Sequence, residues 1–187
     1  NEEVAANPRF VLPPSEAQGN AYEDPSTIEF RDNVESNSQP DPGLVEMVLV
    51  DTSGQEKKIR DLSSGKSTVL VVTRGYTDPI CPYCSKYTAQ LIKNYQQFAD
   101  RGSEVLLVYP IEEKKDAPKL DDFLKRSREI LAEPDRTVPF PVLLDVELKA
   151  VKQLGIRKNL SKPATYVIDS KGEVRYAYVG EKWGDRP

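Results

Sequence analysis

Short apolar runs alternate with helical repeats along residues 44–187. Strands are predicted where apolar and β-branched residues follow one another between turn residues. These segments are 45–50, 57–62, 68–73, 105–109, 140–144, 165–168 and 174–179. The first two flank Ser53-Gly54 and the last two flank residues 169–172, so each pair predicts a hairpin. The run 68–73 lacks polar alternation, which is typical of a strand buried on both faces.

Helices are predicted where apolar residues recur every three or four positions. The first follows Cys84 and ends at Asp100, and the second begins with Asp116 as its cap and has Pro118 in its first turn. A short third helix is stopped by Gly155. The resulting order, β-β-β-α-β-α-β-α-β-β, predicts an α/β architecture with a central mixed β-sheet and helices on both faces.

Residues 1–43 have a different composition from the rest of the chain. They contain nine acidic and two basic residues, a net charge of −7, and six prolines, whereas residues 44–187 carry 21 acidic and 24 basic residues, a net charge of +3. A segment of this kind buries too little apolar surface to offset its chain entropy. We expect an acidic, Pro-rich tail or tether, of which only residues 10–12 could dock on a domain formed by residues 44–187.

Two classes of function are disfavoured by composition. The sequence has no basic stripe with interleaved aromatic residues, so nothing in it indicates nucleic-acid binding. The chain has no histidine, so it lacks the commonest metal ligand and the commonest general base. No apolar run reaches the roughly 18 residues that a membrane helix requires.

The only two cysteines lie in the sequence Cys81-Pro82-Tyr83-Cys84, between a predicted strand and a predicted helix. A zinc site would require two further ligands, and the chain has no second pair of cysteines. A structural disulfide at this spacing closes too short a loop to stabilise the folded protein much. Buried inert thiols are the remaining alternative to a redox pair. Because proline is favoured at the first helical position, Cys81 should lie at the helix N-terminus.

Helix N-termini stabilise thiolates, which lowers the pKa of a cysteine there. We therefore expect Cys81 to be the accessible, attacking thiolate and Cys84, one turn further on, to resolve the mixed disulfide. Arg74 would favour the thiolate, and the negative charge of Asp78 would oppose it. No metal and no cofactor is needed for this chemistry.

The strand–CPYC–helix unit resembles the thioredoxin superfamily, and the later motifs resemble its redoxin branch, which includes TlpA-like reductases and AhpC/TSA-type proteins. These motifs are residues 140–145, 155–156, 163–169, 172 and 176–180. The resemblance covers residues 44–187 and implies a thioredoxin-like three-layer fold. It also implies that Pro163, after Lys162, is a cis-proline that faces the dithiol and presents backbone to a partner. Substrate contacts are expected from Pro82, Tyr83, Lys162 and Pro163.

Two other branches of this superfamily fit the sequence less well. The segment Arg136–Pro139 resembles the cis-proline motif of glutaredoxins, but the elements after it do not fit that fold. Peroxiredoxins carry Pro-x-x-x-Thr-x-x-Cys; counted from Cys81, those positions hold Arg74 and Asp78, and counted from Cys84 they hold Thr77 and Cys81. Neither register matches.

The predicted function is that of a thiol–disulfide oxidoreductase acting on protein thiols or disulfides together with an unidentified redox partner. A peroxiredoxin-like thiol peroxidase and a non-catalytic thioredoxin-like binding module remain as alternatives. A chain that begins with Asn1 and confines both cysteines to one motif is typical of an extracytoplasmic protein. We expect it in the bacterial periplasm or tethered to a membrane upstream of residue 1.

Overall fold

The computed structural model describes residues 25–39, 41–63 and 65–187. The strands are β1 (Val48–Asp51), β2 (Glu56–Lys58), β3 (Ser67–Val72), β4 (Ser103–Ile111), β5 (Val142–Val146), β6 (Arg157–Lys158), β7 (Leu160–Ser161), β8 (Ala164–Ile168) and β9 (Val174–Val179). The helices are α1 (Ile59–Ser63), α2 (Pro82–Ala99), α3 (Lys119–Ile130) and α4 (Lys149–Gln153). Among the described residues, none of these helices is both long and apolar enough to cross a membrane.

The main sheet has seven strands in the order β2-β1-β5-β4-β3-β8-β9. Strands β3, β4 and β5 run parallel, because the crossovers through α2 and α3 return the chain to the end of the sheet where the previous strand began. On either side of these three strands, β1 pairs antiparallel with β5 and β8 pairs antiparallel with β3. The predicted mixed sheet is confirmed.

The two faces of the sheet pack against different helices. Alternate side chains of β3 and β4 point to opposite faces. One face buries Leu70, Val72, Leu106 and Val108 with apolar residues of α1 and α4. The other buries Val71, Val105, Leu107 and Tyr109 with apolar residues of α2 and α3. The three-layer arrangement expected from the sequence is therefore present.

Two predicted elements differ in detail. The second arm of the first hairpin leaves the sheet after Lys58, where the buried Ile59 donates its backbone N–H to Met47 and begins α1. The second long helix does not start at Asp116. That residue closes a 3-10 turn, and Pro118, with a helical φ of −61°, is the residue that precedes α3.

The end of the predicted tail packs against the domain. Ile28 is buried, and Phe30 meets the ring of Tyr87 edge to face with 5.1 Å between centroids. The side chain of Asn37 accepts from the N–H of Val179 at 2.8 Å and donates to its carbonyl at 2.9 Å. This segment therefore covers the free edge of β9. Residues 10–12 lie outside the described residues.

Candidate active site

The two cysteines lie at the start of α2, beside the carboxyl end of the central strand β3. Cys81 is the N-cap residue, and its Sγ accepts the backbone N–H of Cys84 at 3.3 Å. Pro82 is the first helical residue, where its missing N–H costs nothing. The predicted placement of both residues at the helix N-terminus is confirmed.

Both cysteines are free thiols, and both are buried. Cys81 is 3% exposed and Cys84 is 1% exposed. The expectation that Cys81 is accessible at an open helix tip is wrong for this arrangement. Cys81 packs in the apolar cluster between the sheet and α2, and residues 181–187, which we call the C-terminal segment, reach Cys84 through Arg186.

The C-terminal segment lies directly over the dithiol. Nη2 of Arg186 donates to Sγ of Cys84 at 3.0 Å, and Arg186 is itself 2% exposed. The guanidinium of Arg74 stacks on the ring of Trp183 at 3.6 Å from its centroid. Gly184 crosses the ring of Tyr83 so closely that a Cβ there would lie 2.8 Å from a ring carbon.

Polar contacts hold the C-terminal segment in place. Gly180, which precedes it, donates its N–H to the carbonyl of Pro163 at 2.8 Å. The carboxylate of Asp185 accepts from the hydroxyl of Tyr178 at 2.7 Å and from the N–H of Glu181 at 2.9 Å, and it also pairs with Arg31. Residues 25–39, which we call the N-terminal segment, therefore meet the C-terminal segment beside the site.

The site carries two buried guanidinium groups. Within the described part of the chain, neither Arg74 nor Arg186 pairs with a carboxylate, and Nε of Arg74 has no hydrogen-bond partner. Burial lowers the pKa of Arg74, while the negative charge of the cysteines acts to raise it. Two uncompensated cations next to two thiols favour a thiolate.

The thiolate is favoured on Cys84. Burial raises its pKa, but a hydrogen bond from the Cys81 thiol, the charge of Arg186, the backbone N–H of Arg74 and the charge of Arg74 together lower the pKa to about 6. Burial, the hydrogen bond to Cys84 and the negative charge of Cys84 raise the pKa of Cys81 well above its ordinary value. The predicted thiolate on Cys81 is therefore wrong while the C-terminal segment covers the pair, because the guanidinium of Arg186 contacts the other sulfur.

Of the other residues predicted around the dithiol, Arg74 and Tyr83 lie at the site and Asp78 lies outside it. Arg74 reaches the site, and its backbone N–H lies 3.5 Å from Sγ of Cys84. Tyr83 is half-buried under Gly184. Asp78 is exposed and lines a cavity of about 390 Å³ next to Trp183.

The predicted cis-proline is not at Pro163. Among the described residues the cis peptide bond is Asp78-Pro79, so the Lys162-Pro163 bond is trans. Because cis and trans X-Pro differ by only about 0.5–1 kcal/mol, a local sequence does not decide between them. The backbone of both residues is also engaged, since Lys162 donates its N–H to Ile156 at 2.8 Å and Pro163 accepts from Gly180. Their role in substrate binding stays a prediction.

Sequence reasoning missed Trp183, Asp185 and Arg186. Arg186 and Cys84 are 102 residues apart, and no motif spacing links them. No cluster of three or more potential metal-ligating His, Cys, Asp or Glu side chains occurs in the described ranges.

The AhpC/TSA family matches residues 42–177 of the sequence. The chain belongs to the AhpC/TSA family. This places it in the redoxin branch of the thioredoxin superfamily, as the sequence motifs indicated. The match ends before the C-terminal segment that covers the dithiol. Among curated proteins, none matches the sequence significantly.

Solved structures share the fold at low sequence identity. Peroxiredoxin Q of Xanthomonas campestris is 16% identical with a TM-score of 0.56, over 80% of this chain and 90% of its own. Peroxiredoxin 6 of Arenicola marina is 15% identical with a TM-score of 0.63, over 76% and 64%. A secreted Mycobacterium tuberculosis disulfide oxidoreductase homologous to E. coli DsbE is 16% identical with a TM-score of 0.52, over 73% and 85%. At these identities the likeness establishes the thioredoxin-like fold alone.

Proposed function

We propose that this redoxin is a thiol–disulfide oxidoreductase that exchanges electrons with protein thiols or disulfides through Cys81 and Cys84. The observation that carries the proposal is the pair of free thiols at the N-terminus of α2, where Sγ of Cys81 accepts the backbone N–H of Cys84 at 3.3 Å. Burial and charge drive the pKa values of the two sulfurs apart. Such a pair can lose one proton readily and close a disulfide within one helical turn.

The exchange proceeds in two balanced steps. The thiolate of Cys81 attacks one sulfur of a partner disulfide, forms a mixed disulfide and releases the other partner sulfur as a thiolate. Cys84 then gives its proton to the released partner thiolate, attacks Sγ of Cys81, closes the Cys81–Cys84 disulfide and releases the second partner sulfur as a thiolate. Two electrons pass to the partner, and the reverse sequence oxidises a partner dithiol.

A protein partner reaches Cys81 only after the C-terminal segment moves. Because Cys81 is 3% exposed beneath this segment, no second polypeptide can approach its sulfur in the covered arrangement. The segment is held by the buried Arg186, by the stacking of Trp183 on Arg74 and by the polar contacts of Asp185. The partly exposed polar contacts of Asp185 are individually weak, and their loss would favour opening.

Thiol peroxidase activity is a second candidate, favoured by the two buried guanidinium groups at the site. Those of Arg74 and Arg186 would stabilise the charge that develops on a bound hydroperoxide. Against this candidate, the hydroxyl of Thr77 donates to the carbonyl of Pro79 at 2.8 Å rather than facing the sulfurs.

Insulin reduction in dithiothreitol tests the proposed function, with peroxide consumption measured on the same protein. We expect the wild type to accelerate insulin precipitation, and Cys81→Ser and Cys84→Ser to abolish the acceleration. Arg175→Gln, which removes an exposed charge in β9, should leave the rate unchanged. Peroxide turnover without insulin reduction would favour the peroxidase. If the protein shows neither activity, the non-catalytic binding module is the interpretation that remains. The extracytoplasmic location expected from the cysteine usage stays a prediction.

A further inference from the structure

We propose that Arg186 is a catalytic residue of this dithiol exchange: it holds the thiolate on Cys84 while the C-terminal segment covers the sulfurs, and its departure passes the thiolate to Cys81. The inference rests on the proposed function and adds a residue that lies beyond the part of the chain matched by the family, which ends at residue 177.

The contacts of Arg186 fix its guanidinium against one sulfur. Nη2 donates to Sγ of Cys84 at 3.0 Å, and Nε donates to the carbonyl of Trp183 at 2.9 Å. The guanidinium also lies over the ring of Tyr87, 5.5 Å from its centroid. It is therefore oriented by three partners, of which the sulfur is the one that can carry a full negative charge.

Burial makes this contact strong. Arg186 is 2% exposed and, among the described residues, has no carboxylate partner. A buried cation without a counter-ion is costly, and a thiolate at 3.0 Å supplies that counter-ion. Arg74 adds its charge and its backbone N–H to the surroundings of Cys84, but its guanidinium stacks on Trp183.

Removal of Arg186 reverses the balance between the two sulfurs. Cys84 then loses the guanidinium at 3.0 Å and keeps the N–H of Arg74 at 3.5 Å and the charge of Arg74, whereas Cys81 keeps the N–H of Cys84 at 3.3 Å and the N-terminus of α2. The proton that Cys81 donates in the thiol–thiolate hydrogen bond moves to Sγ of Cys84. No electron moves in this step, and the number of bound protons is unchanged. The attacking thiolate thus arises when the segment that blocks the partner leaves.

Thiolate absorbance in the ultraviolet, followed against pH on the reduced full chain, tests this role. In the wild type we expect the first thiolate to form with a midpoint near pH 6. Arg186→Gln should raise that midpoint by about one unit or more, so that the thiolate population at weakly acidic pH falls several-fold. Arg186→Lys, which keeps the charge, should stay closer to the wild type, and Arg175→Gln should not shift it.

The same titration in single-cysteine backgrounds shows which sulfur Arg186 acts on. Arg186→Gln should raise the midpoint strongly in the Cys81→Ser protein, where Cys84 alone titrates, and far less in the Cys84→Ser protein. Equal shifts in both backgrounds, or no shift in either, would overturn the role of Arg186. A wild type that fails to reduce insulin overturns the proposed function and the role built on it. An active wild type with an unshifted midpoint overturns the role of Arg186 alone.

Discussion

Cys84 and Arg186 carry the chemistry of the site in a way that neither residue type specifies alone. A cysteine buried among apolar side chains is ordinarily a neutral thiol, because burial disfavours the charged form. Here a hydrogen bond from the Cys81 thiol, the guanidinium of Arg186 at 3.0 Å, and the N–H and charge of Arg74 together more than offset that cost, and the pKa of Cys84 falls to about 6. Which of two neighbouring thiols is the thiolate therefore depends on the burial of each sulfur and on the groups around it, Arg186 among them.

This depressed pKa makes the stability of the reduced protein dependent on pH. A cysteine in the unfolded chain has a pKa of about 8.5. The thiolate contact of Cys84 therefore contributes fully to the free energy of unfolding above that pH, and its contribution is lost as the pH falls through about 6. We expect the free energy of unfolding to rise by about 1 kcal/mol per pH unit between these two values. Urea unfolding under reducing conditions at several pH values measures it.

Cys84→Ser is the control for this dependence, since serine does not titrate in that range. The variant should show a flatter profile than the wild type. A wild-type profile that is equally flat would contradict a lowered pKa for Cys84 in the folded state.

At the scale of elements, Asp185 ties the C-terminal segment to the domain, together with Trp183 and Arg186. Its carboxylate bonds to the hydroxyl of Tyr178 and the N–H of Glu181 and pairs with Arg31. The close approach of Gly184 to Tyr83 and of Gly180 to Asp185 leaves no room for a Cβ at either glycine. A few polar contacts and two glycines thus decide whether the sulfurs are covered.

Asp185→Asn should expose the dithiol more often. The neutral amide weakens the contacts with Arg31 and Tyr178, so we expect the rate of Cys81 alkylation by a bulky maleimide to rise several-fold at constant pH. Mass spectrometry of the labelled peptide measures the rate at this residue.

Asp169→Asn is the matched control, because Asp169 also accepts backbone N–H groups and pairs with an arginine, Arg175, but in the β8–β9 turn. Its alkylation rate should equal that of the wild type. Equal rates in the two variants would mean that Asp185 does not hold the cover in place.

At the scale of the whole molecule, the N-terminal segment 25–39 is part of the folded body. It covers the edge of β9 through Asn37 and packs Phe30 on α2 through Tyr87. Lys86 of α2 reinforces this by donating to the carbonyls of Ser26 at 3.2 Å and Ile28 at 2.5 Å. A segment with the composition of a linker is therefore held in place by its contacts with β9 and α2 rather than by its own secondary-structure propensity.

Phe30→Ala should destabilise the protein by about 1–3 kcal/mol, because it removes a half-buried ring and an aromatic contact. Urea unfolding at neutral pH measures the change. Val48→Ala, which truncates a side chain that is 45% exposed, should cost less than about 1 kcal/mol. If both variants cost the same, the N-terminal segment adds no stability to the domain.

The sequence by itself determined the alternation of strands and helices, the mixed sheet and the position of Cys81 and Cys84 at the start of α2. Each of these follows from local spacing: a β-branched run makes β3, and Pro82 starts α2. Only the tertiary structure decided that Arg186 meets Cys84, that Trp183 stacks on Arg74 and that residues 25–39 pack on the domain. The physical reason is that burial and charge depend on side chains far apart in the chain, and no periodicity records those contacts.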